Sequence, residues 1–423
     1  MANTTTTPSL EVTPQKERLF TRYRVFIISI VAIIQFTVIL DFMVLSPLGA
    51  LLMQKLHIAP TRFGLVVSVY AFSAGAAGLL TAGFADKFDR KKLLIFFYAG
   101  FILGTFLCGI APDYPFLLAA RIVTGLFGGV IGSVSLAIIT DLFRLEVRGR
   151  VMGFVQMAFA ASQVLGLPVG LVLANHFGWH SPFLMITGFG AIVGIIIVVY
   201  MRPVTEHLKL RSDRNPFIHL YKTISQAPYL KAFLATTLLA TGGFMLMPFG
   251  SAFSIHNLGI TMEQLPLLYG VTGIASVAFG PLAGKLSDKI GKYNMFCIGT
   301  FISIVMVAIY TNLGITPLWL LIVINIILFA GIMSRMISAS ALMTAIPSPA
   351  DRGAFMSVNS SVQQLSGGIA SMAAGLIVYE KPGGALGRYN VLGYVVIIAM
   401  LIVAFLLYFI NRSIAGKQHV AKP

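Results

Sequence analysis

Three charged side chains stand inside long apolar runs of this 423-residue chain: Asp41, Arg121 and Arg335. A charge in hydrocarbon is costly, so each is a functional candidate. Asp41 lies six residues before Pro47, and Arg121 lies six residues after Pro115. If the two runs are antiparallel helices, both residues sit roughly 9 Å inside the same boundary at ~1.5 Å rise per residue. A shared depth permits an ion pair. Beside a guanidinium a carboxylate stays ionised, and once separated from it in low dielectric it takes up a proton. Asp41 and Arg121 are therefore candidates for proton exchange coupled to movement. A fixed ion pair that sets helix register is the other reading. Arg335 lies nine residues before Thr344, with no acid at a matching depth, since Glu263 and Glu380 belong near run ends. It could meet an anionic or hydroxyl-rich ligand, stack on an aromatic ring, or bond helix carbonyls.

Enzyme chemistry has little to work with. The seven histidines (His57, His176, His180, His207, His219, His256 and His419) fall in loops, tails or run ends and make no ligand or nucleophile spacing. No G-x-x-x-x-G-K-[ST] loop is present, so nucleotide drive is not expected. The two cysteines, Cys108 and Cys297, both lie in apolar stretches, which argues against a disulfide framework or a thiolate metal site. Neither metal nor cofactor is expected.

The elements that must hold these charges are long and apolar. Hydrophobic residues make up 57% of the chain and charged residues 10%. A soluble fold needs roughly a quarter of its residues charged. The apolar residues cluster in runs of about 20, the length that crosses a bilayer as a helix. Twelve such spans are predicted, over 25–51, 63–85, 93–111, 115–140, 151–174, 182–201, 229–254, 265–286, 295–310, 318–343, 354–379 and 390–410. Helices rather than barrel strands fit runs of this length.

Charge sets the expected orientation. The chain carries 30 Lys and Arg against 14 Asp and Glu, a net charge of +16. All but a few of the basic residues fall on one face of the alternating loops. Lys55, Arg62, Lys381 and Arg388 fall on the other, and Arg121 and Arg335 lie within spans. The positive-inside rule then puts both termini in the cytoplasm, and it accounts for the basic balance with no nucleic-acid partner. Compact loops and short tails point to a multi-pass protein of a bacterial inner membrane.

The sequence is internally duplicated. The polar stretch 202–228 divides six spans from six. Asp86-Lys87 after span 2 and Asp288-Lys289 after span 8 are 202 residues apart, and Arg148-Gly149 and Arg352-Gly353 are 204 apart. Two patterns at nearly one offset argue for a repeat. Expected units are a tail over 1–24, six-helix bundles over 25–201 and 229–410, the loop 202–228, and a tail over 411–423. Two related bundles with a site between them form a transporter architecture.

From about Arg24 to Ile410 the chain resembles the major facilitator superfamily. Its loop pattern G-x-L-a-D-r-x-G-r-k-r is matched in the second half by Gly284, Asp288, Lys289, Gly291 and Lys292. In the first half Asp86, Lys87, Arg90, Lys91 and Lys92 match, while Ala82 and Asp89 stand where the family has glycines. Arg121 and Gly125 resemble the R-x-x-x-G pattern of proton-driven members. Gly153, Gly166, Pro168 and Gly170 resemble the span-5 pattern of antiporters, although Leu167 splits the usual Gly-Pro. Gly178-Trp179-His180 resembles the family's G-W-R. Together they are similar to the twelve-span drug:proton antiporter branch, especially its sugar and arabinose efflux-like members.

The resemblance implies a conformational latch at Asp86, Arg90, Lys91, Gly284, Asp288, Gly291 and Lys292, which holds the halves together on the inner side. Solvated basic loops are the plainer reading. Gly125, Gly128, Gly129, Gly166 and Gly170 let membrane helices approach closely, and Pro168 can bend span 5. Polar residues within spans are candidates for substrate contact: Gln35, Gln163, Asn325, Gln364 and Arg335 foremost, with Tyr70, Gln156, Asn359 and Gln363. Phe244, Met245 and Phe249 beside Pro248 could line the same cavity. Packing between helices competes with each of these assignments.

The expectation is an all-α membrane protein of twelve transmembrane helices in two six-helix pseudo-repeat bundles. Its function would be secondary active transport by alternating access: proton-coupled efflux of a small organic solute such as a drug, sugar or metabolite. A proton symporter or uniporter importing a sugar or organic anion is the alternative. A sensor on the same fold is the rival of another class. Expected partners are the small-molecule substrate, protons and the lipid bilayer, and the chain is expected to act as a monomer.

Overall fold

Helix ends follow from local chemistry. The computed structural model describes residues 21–81, 87–143, 145–205, 208, 224–347 and 352–420. Helix α1 (Arg22–Val44) starts where the Thr21 hydroxyl accepts the Arg24 amide at 3.2 Å, an N-cap. Asp89 and Asp113 cap α4 (Arg90–Gly109) and α5 (Tyr114–Leu142), accepting the Lys91 and Phe116 amides, each at 2.9 Å. Between α1 and α4 lie α2 (Gly49–Leu56) and α3 (Pro60–Thr81). After α5 come α6 (Leu145–Ala161), a π turn (Ser162–Gly166), α7 (Leu167–Phe177) and α8 (Ser181–Tyr200). The second half holds α9 (Ala227–Leu246), a 3-10 turn (Met247–Phe249), α10 (Gly250–His256), α11 (Leu265–Ile290), α12 (Lys292–Tyr310), α13 (Leu318–Thr344), α14 (Arg352–Ile377) and α15 (Tyr389–Val420). A two-residue antiparallel pairing, β1 (Tyr379–Glu380) with β2 (Leu386–Gly387), links α14 to α15. Gly291, at φ 92°, turns the chain from α11 into α12 in a conformation that favours glycine.

Among the described residues, eleven helical passages are long and apolar enough to cross a membrane. The α6–α7 and α9–α10 segments each count as one passage. The remaining predicted span is α14, whose 26 residues reach about 39 Å. Its Asn359, Gln363, Gln364 and serines make it less apolar than the rest. The fold is a helical membrane bundle, and the eleven passages among the described residues, with α14 beside them, are consistent with two six-helix halves.

Two predicted spans are broken, and the breaks correspond. The first span does not run to residue 51. Helix α1 ends at Val44, and α2 begins at Gly49. Span 7 is interrupted at Met247–Phe249. Pro47 and Pro248 sit in these breaks, 201 residues apart, which is close to the repeat offset. Proline lacks the amide that would continue the ladder. Span 5 is interrupted differently. Pro168 cannot bond the Val164 carbonyl, and the Leu167 amide instead reaches back five residues to Ser162, a π turn.

The two breaks meet. The Ser46 hydroxyl donates to the Met247 carbonyl, and the Ser251 hydroxyl donates to the Ser46 carbonyl at 3.0 Å. Thr61 bonds the Gly375 carbonyl at 2.9 Å, and Asn175 bonds the Met262 carbonyl at 2.9 Å. These contacts between halves all gather at one end of the bundle. A single apolar core runs through both halves there, from Leu40, Val44 and Phe63 to Phe249, Tyr310 and Tyr389. At the opposite end, which holds Arg22 and Ile410, the core is split. One part is built from Ile27, Phe97, Ile138 and their neighbours, and the other from Phe233, Phe296, Phe355 and theirs. The molecule is thus sealed at the end holding residues 46 and 247; at the end holding Arg22 and Ile410 each half has its own core, with Leu79 of α3 packed against that of the second half.

Small residues set the seam between α3 and α14. A Cβ on Gly64 would stand 2.8 Å from the Ser371 carbonyl oxygen, and one on Gly75 2.8 Å from Leu365. Phe72 packs onto Gly368 in the same way. Backbones this close exclude side chains.

Candidate functional site

Arg121 and Gly125 stand one turn apart on α5, on one face. A Cβ at Gly125 would lie 2.5 Å from the Tyr70 carbonyl oxygen, so glycine lets α5 press against α3. Gly129 does the same against Ala74, and Gly104 of α4 does it against Thr124. These approaches bring α3, α4 and α5 together around one charged centre.

At that centre the Arg121 guanidinium Nη1 donates to Asp41 Oδ2 at 2.8 Å. Neither side chain has any exposed surface. Thr105 of α4 donates its hydroxyl to Asp41 Oδ1 at 3.1 Å. The Arg121 guanidinium carbon stands 4.4 Å from the centre of the Tyr70 ring. Its Nε and Nη2 have no hydrogen-bond partner among the described residues. The cation is therefore held by one charge-assisted hydrogen bond and one aromatic face. Two Arg121 nitrogens, which carry three N–H groups, are left without an acceptor among the described residues.

The ion pair adjoins the seam between halves. Phe42, next to Asp41, packs on Tyr70 with ring centres 5.5 Å apart and on Phe244 of α9 at 5.6 Å. A small apolar cavity of about 10 Å³ remains among Phe42, Ser46, Val67, Phe244 and Met247. The antiporter-like residues flank the same helix. Cβ atoms on Gly166 and Gly170 would meet Leu40 and Val44 of α1 at 2.5 and 3.1 Å. Pro168 faces Gly270 of α11 across the seam. The π turn thus wedges between the helix of Asp41 and the other half.

The latch residues divide. Asp86 lies outside the described residues. Arg90 pairs with Asp141 of α5, Nε to Oδ2 at 3.1 Å, and Lys91 donates to the Val198 carbonyl of α8 at 2.9 Å. Both therefore tie helices within the first half. Asp288, Gly291 and Lys292 are exposed, and a Cβ on Gly284 would meet open space. No side-chain hydrogen bond or ion pair joins Asp288 to another described residue.

The substrate candidates are dispersed. Gln35 on α1 faces Gly132 of α5, where a Cβ would stand 3.8 Å from its Nε2. Gln163 is buried in the π turn, its carbonyl against Gly273 of α11. Asn325 donates to Leu321 of its own helix at 2.9 Å, and Gln364 is half-buried on α14. Arg335 is buried against α12, its guanidinium carbon 5.5 Å from the Phe296 ring centre and its Nε without a partner among the described residues. Met245 and Phe249 belong to the shared core. Tyr70, a sequence candidate for substrate contact, lies under Arg121. Thr105 belongs to no motif; being the one Ser or Thr of an apolar helix, near the depth of Asp41, is its sequence signal.

A helical membrane bundle sealed at one end, with a buried ion pair beside its seam, has the architecture of an alternating-access membrane carrier. The family model of the Major Facilitator Superfamily matches residues 31–250 and 232–422. The chain belongs to that superfamily; it is a membrane transporter and not an enzyme. It is 29% identical over 287 residues to the uncharacterized MFS-type transporter YceJ of Bacillus subtilis (strain 168), covering 67% of this chain and 72% of that protein. Multidrug resistance protein 2 of the same organism is 25% identical over 294 residues, 66% of this chain and 73% of that protein. Among solved structures, a bacterial homolog of the human lysosomal transporter Spinster, inward-facing and unoccupied, superposes with a TM-score of 0.75 at 16% identity, covering 94% of this chain and 98% of that chain. The xylose transporter XylE from E. coli superposes with a TM-score of 0.71 at 15% identity, covering 92% and 98%.

Proposed function

We propose that this chain exports a small organic solute in exchange for protons, with Asp41 as the proton acceptor and Arg121 as its counter-ion. The observation that carries the reading is the wholly buried Asp41–Arg121 pair beside the seam between halves. With its cation in place, the charge of the carboxylate is compensated. A movement that parts α1 from α5 would leave Asp41 in low dielectric, where it takes up a proton. Movement and protonation are then one event. Likeness to a protein named for multidrug resistance supports a drug-like solute and outward transport.

In this reading the termini face the cytoplasm of a bacterial inner membrane, as the loop charges favour, and the chain works as a monomer. The sealed end is then extracytoplasmic, and the structure is inward-facing. The latch residues Arg90, Lys91, Gly284, Asp288, Gly291 and Lys292, with Asp86, engage across the halves in the opposite state. Gln35, Gln163, Asn325, Gln364 and Arg335 are the substrate contacts to test as the halves rearrange.

The test uses everted vesicles with an acid interior and ethidium as the probe, with L-arabinose in a parallel arm. Wild type accumulates one of them in proportion to the pH gradient, and Asp41→Asn does not. Gradient-driven uptake that persists in Asp41→Asn removes that carboxylate from the mechanism.

A further inference from the structure

On the outer surface of the first half, away from the seam, α4 and α8 border a cleft of about 290 Å³. Ile95, Tyr98, Ala99 and Ile102 form one wall, and Ala191, Gly194, Ile195 and Val198 form most of the other. The room comes from small residues. A Cβ on Gly194 would find its nearest neighbour, Ile102, at 3.6 Å, and Ala99 and Ala191 add little bulk. An engineered apolar cavity of about 150 Å³ takes up benzene, so this cleft holds a sizeable hydrocarbon segment. It opens laterally: Ile195 and Val198 are more than half exposed. That face of a membrane helix looks onto acyl chains.

One end of the cleft is basic. The Lys91 ammonium sits on the carbonyl of Val198, itself a wall residue, at 2.9 Å. Arg202 lies four residues on, just beyond the end of α8, its guanidinium over the Tyr23 ring of α1 at 5.1 Å. Asp89 is the described acid there, and its Oδ1 already accepts the Lys91 and Val204 amides at 2.9 and 3.0 Å. Apolar walls running to a cationic rim match a chain with an anionic head. Basic pockets between membrane helices hold such headgroups.

We propose that the α4–α8 cleft is a binding site for one anionic phospholipid, with an acyl chain between the helices and the phosphate at Lys91 and Arg202. The site is distinct from the ion pair, shares Lys91 with the proposed latch, and is independent of which solute is carried.

The test uses the purified full chain in detergent. It is titrated with phosphatidylglycerol, with phosphatidylcholine of the same acyl chains, and with sn-glycerol 3-phosphate. Retained lipid is counted by native mass spectrometry, and thermal midpoints are followed in parallel. Expected is retention of phosphatidylglycerol at about tenfold lower concentration than phosphatidylcholine, and no shift with glycerol phosphate. Lys91→Gln should abolish the headgroup preference. Gly194→Leu, which fills the cleft, should lower retention of both lipids. Equal retention of the two lipids, or preference intact in Lys91→Gln, overturns the proposal. Should Gly194→Leu fail to fold, Lys91→Gln and the lipid comparison still decide it.

Discussion

Tyr70 presents its ring face to Arg121, 4.4 Å from the guanidinium carbon, while its other neighbour is Phe42 at 5.5 Å between ring centres. The aromatic ring is thus the second support of a cation whose first is Asp41. A desolvated cation–π contact is worth about 2 kcal/mol. Tyr70→Phe keeps the face and should leave thermal stability and gradient-driven ethidium uptake near wild type. Tyr70→Leu removes it and should lower both. Equal behaviour of the two variants would show that the ring face contributes nothing.

Breaking the ion pair singly leaves a buried charge without compensation, at a cost of about 3–5 kcal/mol. Asp41→Asn and Arg121→Gln should each lower the melting temperature. The double variant should recover much of the loss, because no unpaired charge remains, yet stay uncoupled from the proton gradient. A double-mutant cycle on thermal unfolding measures the interaction. Additive losses would mean that the two groups do not act as a pair.

Ser251 donates to the Ser46 carbonyl where the broken helices of the two halves meet. One such bond contributes about 1 kcal/mol net. Ser251→Ala should therefore shift the population toward opening at this end. Labelling of Leu48→Cys by a membrane-impermeant maleimide, above the background of Cys108 and Cys297, should quicken several-fold. Leu48 is 1% exposed in the sealed form, so slow labelling is the starting point. Unchanged labelling would show that the bond does not bias the seal.

Gly125 and Gly128 make different demands. A Cβ at Gly125 would lie 2.5 Å from the Tyr70 carbonyl oxygen, and at Gly128 the nearest atom would be Tyr70 Oη at 3.1 Å. Gly125→Ala should cost about 1–3 kcal/mol through forced backbone shifts and displace Tyr70 from Arg121. Gly128→Ala should cost less, since a side-chain terminus can give way. Comparing their melting temperatures and uptake separates the two.

Much of this is legible in the sequence because it is local. Prolines and capping residues mark helix ends, so counting from Pro47 and Pro115 assigns Asp41 and Arg121 one depth. Rotation about a helix axis is harder to read. A helix apolar on every side carries no stripe to say which face is inside. That is why sequence leaves Tyr70 and Arg335 open between ligand contact and packing against neighbouring helices, and why Thr105 gives so little signal.

By itself the chain's order of residues determined an all-helical membrane bundle, its duplication and its superfamily, because run length, punctuation and repeat offset are properties of neighbouring residues. Tertiary packing alone decided that Asp41 meets Arg121, Thr105 and Tyr70 at one point, that the breaks at Pro47 and Pro248 touch, and that Arg90 and Lys91 bind within their own half. Those facts depend on how close glycines allow separate helices to come, a quantity that exists only between segments distant along the chain.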